Sequence, residues 1–279
     1  MALGGGGARG LAHIGVLNVM EGQGIPIDLI VGTSMGAIVG GAYAQEPAAK
    51  ALEARVIKYL QSLEEKDELA TLQVPHPPGG RLARWANSLQ QYYFLTRSVQ
   101  RSSLIGDESL KRMISFLLDD SQIENSEVPF AAVAVDLLAG ETVTFTYGPI
   151  RQSVKASATI PGVFAPVEFN GRLLIDGGVS SLVPVEETRQ LGADVVVAVD
   201  VSPPFAEVSP PKRGIDLLLR ADEIARVHLK RLQLCQADVL IQPQVGRRQW
   251  FEFSHYQGVI ESGAKATQGA LPQIRQLVR

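Results

Sequence analysis

The residues best suited to catalysis form a Gly-Thr-Ser-Met-Gly motif at 32–36, centred on Ser34. The apolar stretch 29–31 precedes it and a run rich in small residues follows, which is the strand–turn–helix context of a serine nucleophile elbow. Gly32 and Gly36 allow a sharp turn without Cβ clashes, and a helix N-terminus favours developing negative charge. The pattern predicts that Ser34 is a nucleophile. The alternative is a chance match in a glycine-rich segment.

A second motif, the glycine loop GGGGARG at 4–10, lies just before the first predicted helix. Several N–H groups of such a loop point at one place, which suits an anion, and in acyl transfer that anion is the tetrahedral oxyanion. Gly5, Gly7 and Gly10 also satisfy the dinucleotide fingerprint, but the next strand does not end in the acidic residue that would hold a ribose. We therefore expect an oxyanion hole, with a dinucleotide- or nucleotide-binding loop as the alternative.

The base that Ser34 requires is either a carboxylate or a histidine. Asp176 ends an apolar strand before Gly177 and Gly178, and a partly desolvated aspartate can accept a serine proton directly. An ordinary Asp-Gly-Gly turn explains the same residues equally well. His228 or His255 would complete a conventional α/β-hydrolase triad, but in that fold several strands precede the elbow, whereas here it follows the second.

Alternating strands and helices are expected to position these residues. We predict strands near 2–3, 29–31, 173–178, 195–201 and 239–241, a hairpin over 130–147, and helices over 11–23, 35–45 and 216–236. Such alternation implies an α/β fold with a mainly parallel central sheet and helices on both faces. The segment about 48–118 is predicted to be a mainly helical insertion.

Composition narrows the functional classes. The 279 residues carry a net charge of −3 with mixed signs, which argues against nucleic acid as a partner. The single cysteine, Cys235, forms no internal disulfide and is compatible with a reducing compartment. The glycines within 29–45 favour a buried strand and helix over a membrane span, and the N-terminus has no signal-peptide pattern. We see no His/Cys cluster for a metal and expect no cofactor.

Four motifs stand in the order found in the patatin-like phospholipase family, which the chain resembles over nearly its whole length. They are GGGARG at 5–10, GTSMG at 32–36, ASATIPGVFAP at 156–166 and DGG at 176–178. Neighbouring phrases look most like bacterial members and the catalytic domain of neuropathy target esterase. Plant patatins have an aspartate where this chain has Gly4, so their substrate range is not carried over. Only three residues precede the loop, which leaves open whether the chain is one domain of a longer protein.

The resemblance implies one patatin-like domain over 1–279 in which Ser34 and Asp176 form a catalytic dyad. It assigns the oxyanion hole to Gly5, Gly6, Gly7 and Arg9, and supporting turns to Gly10, Gly32, Gly36, Gly177 and Gly178. The implied activity is that of a serine esterase, either a lysophospholipase or a phospholipase A. A patatin-like regulatory protein with little catalysis is the competing interpretation.

The substrate expected from the resemblance is an acyl ester or a lysophospholipid. Its head group and chain length do not follow from the sequence, and neither does the oligomeric state. The expected location is the cytoplasm, either free or peripheral at the inner membrane face. Apolar residues of the insertion are candidates for an acyl pocket, with core packing as the alternative: Leu89, Tyr92, Tyr93, Phe94, Phe116, Leu117 and Leu118.

Overall fold

The computed structural model describes residues 1–65, 108–246 and 249–278. Their strands form one sheet in the order β5-β6-β3-β2-β1-β7-β8, with β4 also paired to β3. The strands are β1 (Ala2–Leu3), β2 (Ile30–Thr33), β3 (Phe130–Asp136), β4 (Glu141–Phe145), β5 (Val167–Phe169), β6 (Arg172–Asp176), β7 (Val197–Val199) and β8 (Val239–Ile241). The strands from β3 to β8 in this order run parallel, whereas β4, β5 and β6 are joined by antiparallel pairing.

The helices are α1 (Ala12–Gly22), α2 (Met35–Gln45), α3 (Ala49–Glu65), α4 (Glu108–Leu117), α5 (Ile150–Ser157), α6 (Val185–Gln190), α7 (Gly214–Leu234) and α8 (Tyr256–Leu277). The α/β fold with a mostly parallel sheet is therefore as predicted, and α2 has the predicted bounds. The sequence analysis missed β5, α5, α6 and α8. Of the predicted insertion, α3 and α4 are helical at its two ends, and residues 66–107 lie outside the described residues.

Alternate residues of each strand point to opposite faces of the sheet, and a separate apolar cluster covers each face. Leu3 and Val199 belong to the main core, which includes residues of α1, α2 and α8. Ala2 and Ala198 lie in a second cluster with Val185 of α6. Among the helices of the described residues, none combines the length and the apolar composition needed to span a bilayer.

The antiparallel end of the sheet brings two strand ends together. Residues 132–136 of β3 pair with β4, so β2 and β6 share the other edge of β3. On that edge Thr33, the last residue of β2, lies opposite Val133, and Asp176, the last residue of β6, lies opposite Ala134. Because β2 and β6 run in opposite directions along one edge, their carboxyl ends meet head-on.

Candidate active site

Ser34 stands at the point where β2 turns into α2. Its backbone has φ 55° and ψ −121°, a conformation that residues with a Cβ rarely adopt and that is found mostly where function requires it. A Cβ on Gly32 would lie 2.5 Å from the Gly36 carbonyl oxygen, so the tight turn needs glycine at that position. Ser34 and Asp176 are each only 6% exposed.

Asp176 faces Ser34 from the opposing strand end. Its carboxylate accepts a hydrogen bond from the Ser34 side chain and another, of 2.7 Å, from the Gly178 N–H. The Asp176 N–H donates to the Thr159 carbonyl at 2.8 Å, which fixes the strand end. The two residues that sequence reasoning singled out as nucleophile and base are thus brought into hydrogen-bond contact.

Burial dominates the electrostatics of this carboxylate. It raises the pKa of Asp176 from 3.8 to about 6, and the hydrogen bonds from Ser34 and Gly178 pull the pKa in the opposite direction. A carboxylate with this pKa is ionised at neutral pH yet is a stronger base than an exposed aspartate. It has the properties of a general base toward the Ser34 hydroxyl.

The Gly-Gly pair after Asp176 is required by close packing. A Cβ on Gly177 would lie 2.2 Å from the Val133 carbonyl oxygen, and one on Gly178 would lie 3.0 Å from Asp176 Oδ1. A side chain at Gly177 would therefore push the turn away from β3 and move the carboxylate with it.

The glycine loop is fixed by hydrogen bonds on both sides of residues 6 and 7. The Gly4 and Gly5 N–H groups donate to the carbonyls of Val199 and Leu182 at 3.0 and 2.8 Å. In the described part of the chain, the Gly6 and Gly7 N–H groups donate to no backbone carbonyl. A Cβ on Gly5 would lie 3.2 Å from Ser34 Cβ, so the loop lies directly against the serine. The two amides that the fold leaves for a ligand are those of Gly6 and Gly7.

Arg9 and His13 hold the carbonyls of this loop. Arg9 Nε donates to the Gly6 oxygen at 3.1 Å, and since a trans peptide points its C=O and N–H in opposite directions, this bond turns the Gly7 N–H away from Arg9. Burial lowers the pKa of Arg9 to about 10, so the guanidinium stays charged at neutral pH. His13 is fully buried and its Nε2 lies 2.8 Å from the Gly4 oxygen.

Burial also lowers the pKa of His13 to about 4, so its ring is neutral at neutral pH and Nε2–H donates to Gly4. Sequence reasoning gave His13 no role and missed Ser157 as well. Ser157 is buried and its Oγ accepts the Ser34 N–H at 3.0 Å. The signal that could have found Ser157 was its place within the motif at 156–166.

The other side chains that could act as the base, namely the remaining histidines and the strand-end carboxylates of Asp136 and Asp200, are engaged or located elsewhere. His228 on α7 and His255 before α8 are both exposed to solvent. The Asp136 carboxylate accepts the N–H groups of Leu138 and Ala139, and Asp200 forms an ion pair of 2.9 Å with Lys230. The only other histidine of the chain outside α1, His76, lies outside the described residues.

The dinucleotide alternative requires backbone amides of the glycine loop that are available to a ligand. The Ala8 N–H at the start of the helical turn already donates to the Trp250 carbonyl at 2.6 Å, so this amide is not available.

The predicted acyl pocket is described only in part. Leu117 and Leu118 are buried in the main core, whereas Phe116 is exposed and its ring centroid lies 5.2 Å from that of Tyr59. The first four candidates of that pocket lie outside the described residues.

Comparison with known proteins gives the same family as the motifs. The family model for patatin-like phospholipases matches residues 1–189, which include all four motifs. An uncharacterised NTE family protein of Mycobacterium tuberculosis is 35% identical over 208 residues, covering 72% of this chain and 48% of that protein. The chain thus matches less than half the length of this relative.

Longer relatives match over the same share of this chain. Patatin-like phospholipase domain-containing protein 6 of Homo sapiens is 32% identical over 203 residues, and the match covers 72% of this chain and 13% of that protein. Lysophospholipase NTE1 of Candida glabrata is 31% identical over 201 residues, which are 10% of its length. The crystal structure of VipD from Legionella pneumophila aligns with a TM-score of 0.50 and 14% identity, covering 98% of this chain and 66% of VipD, a likeness of fold alone.

Proposed function

Because the chain belongs to the patatin-like phospholipase family, we propose that it is a serine hydrolase that cleaves an acyl ester of a phospholipid or lysophospholipid. The observation that carries this proposal is the buried hydrogen bond between Ser34 and Asp176, beside a loop in which two amides have no backbone acceptor among the described residues. Support for the substrate class comes from relatives, among them the lysophospholipase of Candida glabrata.

Acylation begins when Asp176 accepts the Ser34 proton while Oγ attacks the ester carbonyl carbon. The carbonyl oxygen gains the negative charge, and we assign the Gly6 and Gly7 N–H groups as its donors, with the Gly7 peptide oriented by Arg9. Collapse of the tetrahedral intermediate expels the alcohol, which takes the proton from Asp176 and leaves an acyl-serine.

Deacylation follows the same path in reverse with water as the nucleophile. Asp176, ionised again, accepts a proton from water as its oxygen attacks the acyl carbon, and the same amides hold the second oxyanion. Ser34 Oγ leaves with the proton from Asp176, and the fatty acid is released. The carboxylate therefore acts as base and then as acid in each half-reaction, a role that a pKa of about 6 suits at neutral pH.

The test is hydrolysis of p-nitrophenyl esters of increasing acyl length, followed by release of fatty acid from lysophosphatidylcholine. Ser34→Ala and Asp176→Asn should each lower kcat by roughly a thousandfold or more, because each removes a member of one catalytic unit. The double variant His228→Ala/His255→Ala is the matched control and should retain turnover.

Activity that survives in Asp176→Asn but disappears in the histidine variant would mean a conventional triad and would refute the dyad. A wild-type chain without esterase activity would favour the regulatory interpretation. A rise in melting temperature with NAD or ATP in that inactive chain would instead favour the nucleotide-binding loop.

A further inference from the structure

Helix α7 extends well beyond the sheet on the side of the active site. It connects the carboxyl end of β7 to the amino end of β8, so it runs antiparallel to these strands. Near its C-terminus Lys230 pairs with Asp200, which directly follows β7, and Gln233 donates to the Ser180 carbonyl at 2.7 Å. The 16 residues before Lys230 rise about 24 Å at 1.5 Å per residue, so most of α7 projects past the edge where Ser34 lies.

The projecting helix carries an apolar stripe on the side that faces solvent. At 100° per residue, the large apolar side chains of the stripe span about 140° of the helix surface. His228 lies within this arc, and Lys230 lies on the opposite side of the helix. The large apolar side chains are between 40% and 68% exposed: Leu217, Leu218, Ile224, Leu229 and Leu232. The small residues Ala221 and Ala225 lie between them and are also exposed. Contiguous exposed apolar surface of this kind marks an interaction site.

The charge around this stripe is positive, in contrast to the rest of the chain. Residues 212–234 contain six lysines and arginines and three acidic residues, which pair with Arg213, Arg220 and Arg226. With Asp200, the partner of Lys230, the net charge of this region is +2, whereas the whole chain has −3. On the side of the stripe where helical spacing places Arg220 and Arg231, Arg231 is exposed to solvent, whereas Arg220 is largely buried and pairs with Glu223. An apolar face in a segment of net positive charge is a pattern of helices that lie in the interface of anionic membranes.

A second apolar element projects from the same edge of the sheet. The strand β3 runs parallel to β2 but continues three residues past the level of Thr33, which is about 10 Å. The hairpin that follows exposes Leu137 and Leu138 to solvent. The Ser180 hydroxyl, in the turn just after Asp176, lies 2.8 Å from Thr142 of β4, so this turn contacts both the hairpin and α7.

From these observations we propose that the apolar stripe of α7 docks the protein on an anionic phospholipid bilayer and turns the Ser34–Asp176 edge of the sheet toward it. The stripe inserts among the lipid chains while Arg231 contacts the phosphates, and the hairpin leucines make a second contact. The docking itself is independent of catalysis, whereas its use in delivering the substrate rests on the proposed function.

The experiment measures sedimentation with vesicles of phosphatidylcholine containing about one-third phosphatidylglycerol. All proteins carry Ser34→Ala, so binding is read without hydrolysis. The stripe variant is Leu218→Gln/Leu232→Gln. The control is Leu191→Gln/Leu277→Gln, which makes the same two changes at leucines that are 40% and 42% exposed near the opposite edge of the sheet. Far-UV circular dichroism and thermal unfolding confirm that each variant is folded.

We expect the stripe variant to bind these vesicles at least tenfold more weakly than the parent, and the control to bind like the parent. Raising the salt concentration should weaken binding of the parent, since Arg231 and the net positive charge of this segment attract the anionic lipid. Equal binding by the stripe variant and the parent, or no binding by the parent, would overturn the proposal. So would a stripe variant that changes from dimer to monomer in analytical ultracentrifugation while vesicle binding is unchanged, since the stripe would then join two copies of this chain.

If the docking holds but the unmodified chain hydrolyses no ester, the proposed function fails and the docking surface stands. If ester hydrolysis is found but the stripe variant binds vesicles normally, only the docking proposal fails. The two proposals are therefore separated by the readout, one being binding by an inactive chain and the other turnover by an active one.

Discussion

Replacing Asp176 with asparagine should make the protein more stable at neutral pH while abolishing the proposed activity. The folded protein keeps the Asp176 carboxylate buried, which raises its pKa above that of the unfolded chain. A raised pKa means that this carboxyl favours folding below its unfolded pKa, and that the favourable contribution is lost as the pH rises through the folded pKa. Asparagine has nearly the same shape and no charge, so the variant avoids that loss.

The size of the effect follows from the two pKa values. A rise from 3.8 to about 6 corresponds to about 3 kcal/mol of unfolding free energy lost between low pH and pH 7.5. Asparagine also weakens the hydrogen bonds from Ser34 and Gly178, which offsets about 1 kcal/mol. This leaves the variant about 2 kcal/mol more stable at pH 7.5, a rise in Tm of roughly 4 °C or more.

Urea unfolding of wild type and variant at several pH values between about 4.5 and 7.5 measures this difference. Because the weakened hydrogen bonds contribute nearly equally at each pH, the cleaner quantity is the change with pH. The stability advantage of Asp176→Asn should shrink by about 2 kcal/mol on going from pH 7.5 to pH 4.5.

Asp136→Asn is the matched control, since Asp136 is buried to a similar extent at the end of β3. Its carboxylate caps the hairpin through the N–H groups of Leu138 and Ala139, so its replacement should destabilise the fold. An Asp176→Asn advantage that does not change with pH would refute the reasoning, because the carboxylate would then not be desolvated in the folded state.

Two further predictions concern activity. The first is the pH dependence of kcat/KM for a short-chain p-nitrophenyl ester, measured from pH 5 to 8. Because the ionised form of Asp176 is required, kcat/KM should fall about tenfold per pH unit below pH 6 and level off above it. A profile without a step near pH 6 would contradict this role. The second is that Gly177→Ala should lower kcat roughly a hundredfold, because the new Cβ would meet the Val133 carbonyl and displace the Asp176 turn. The control Gly269→Ala, on an open helix surface, should leave kcat unchanged. Equal kcat in both variants would argue against tight positioning of this turn.

The parts of the site that the sequence predicts are those with a local steric signature. A Cβ would overlap the backbone of a neighbouring segment at three glycines of the motifs, Gly32, Gly36 and Gly177. Each of these glycines is therefore required by a close contact between two backbone segments. The bounds of α2 follow from the same cause, since the elbow fixes where the helix begins. Such contacts restrict the residue type directly, so these positions can be recognised from the sequence without a structure.

The meeting of Ser34 and Asp176 could not be predicted from local pattern. It depends on β6 pairing antiparallel with the same edge of β3 that β2 uses, and the sequence indicates neither the direction nor the register of that pairing. Strand β5 was missed, although it forms the hairpin with β6 that gives β6 its direction. The roles of Ser157 and His13 were hidden for a related reason, because each acts through a backbone group distant in sequence.

Helix α7 shows a different limit. Its amphipathic pattern predicted a helix at nearly the observed position, and the usual assumption is that an apolar stripe faces the core. In the structure the stripe faces solvent, and the inward contacts are made by polar side chains such as Lys230 and Gln233. The spacing of apolar residues along a helix predicts that an apolar face exists, but it does not predict whether that face points to the core or to solvent. In α7 the orientation toward solvent is what suggests a function.

The active-site region combines features that each oppose stability. Ser34 has a backbone conformation unfavourable for a side chain, and Asp176 carries a buried charge. Within the part of the chain that the structure describes, the amides of Gly6 and Gly7 have no backbone acceptors. Each cost has a counterpart in the proposed reaction, namely a nucleophile held at a sharp turn, a stronger base and two donors for an oxyanion. Local rules of folding are expected to fail mainly where function requires it, and three failures around one serine therefore argue for catalysis more strongly than any one motif.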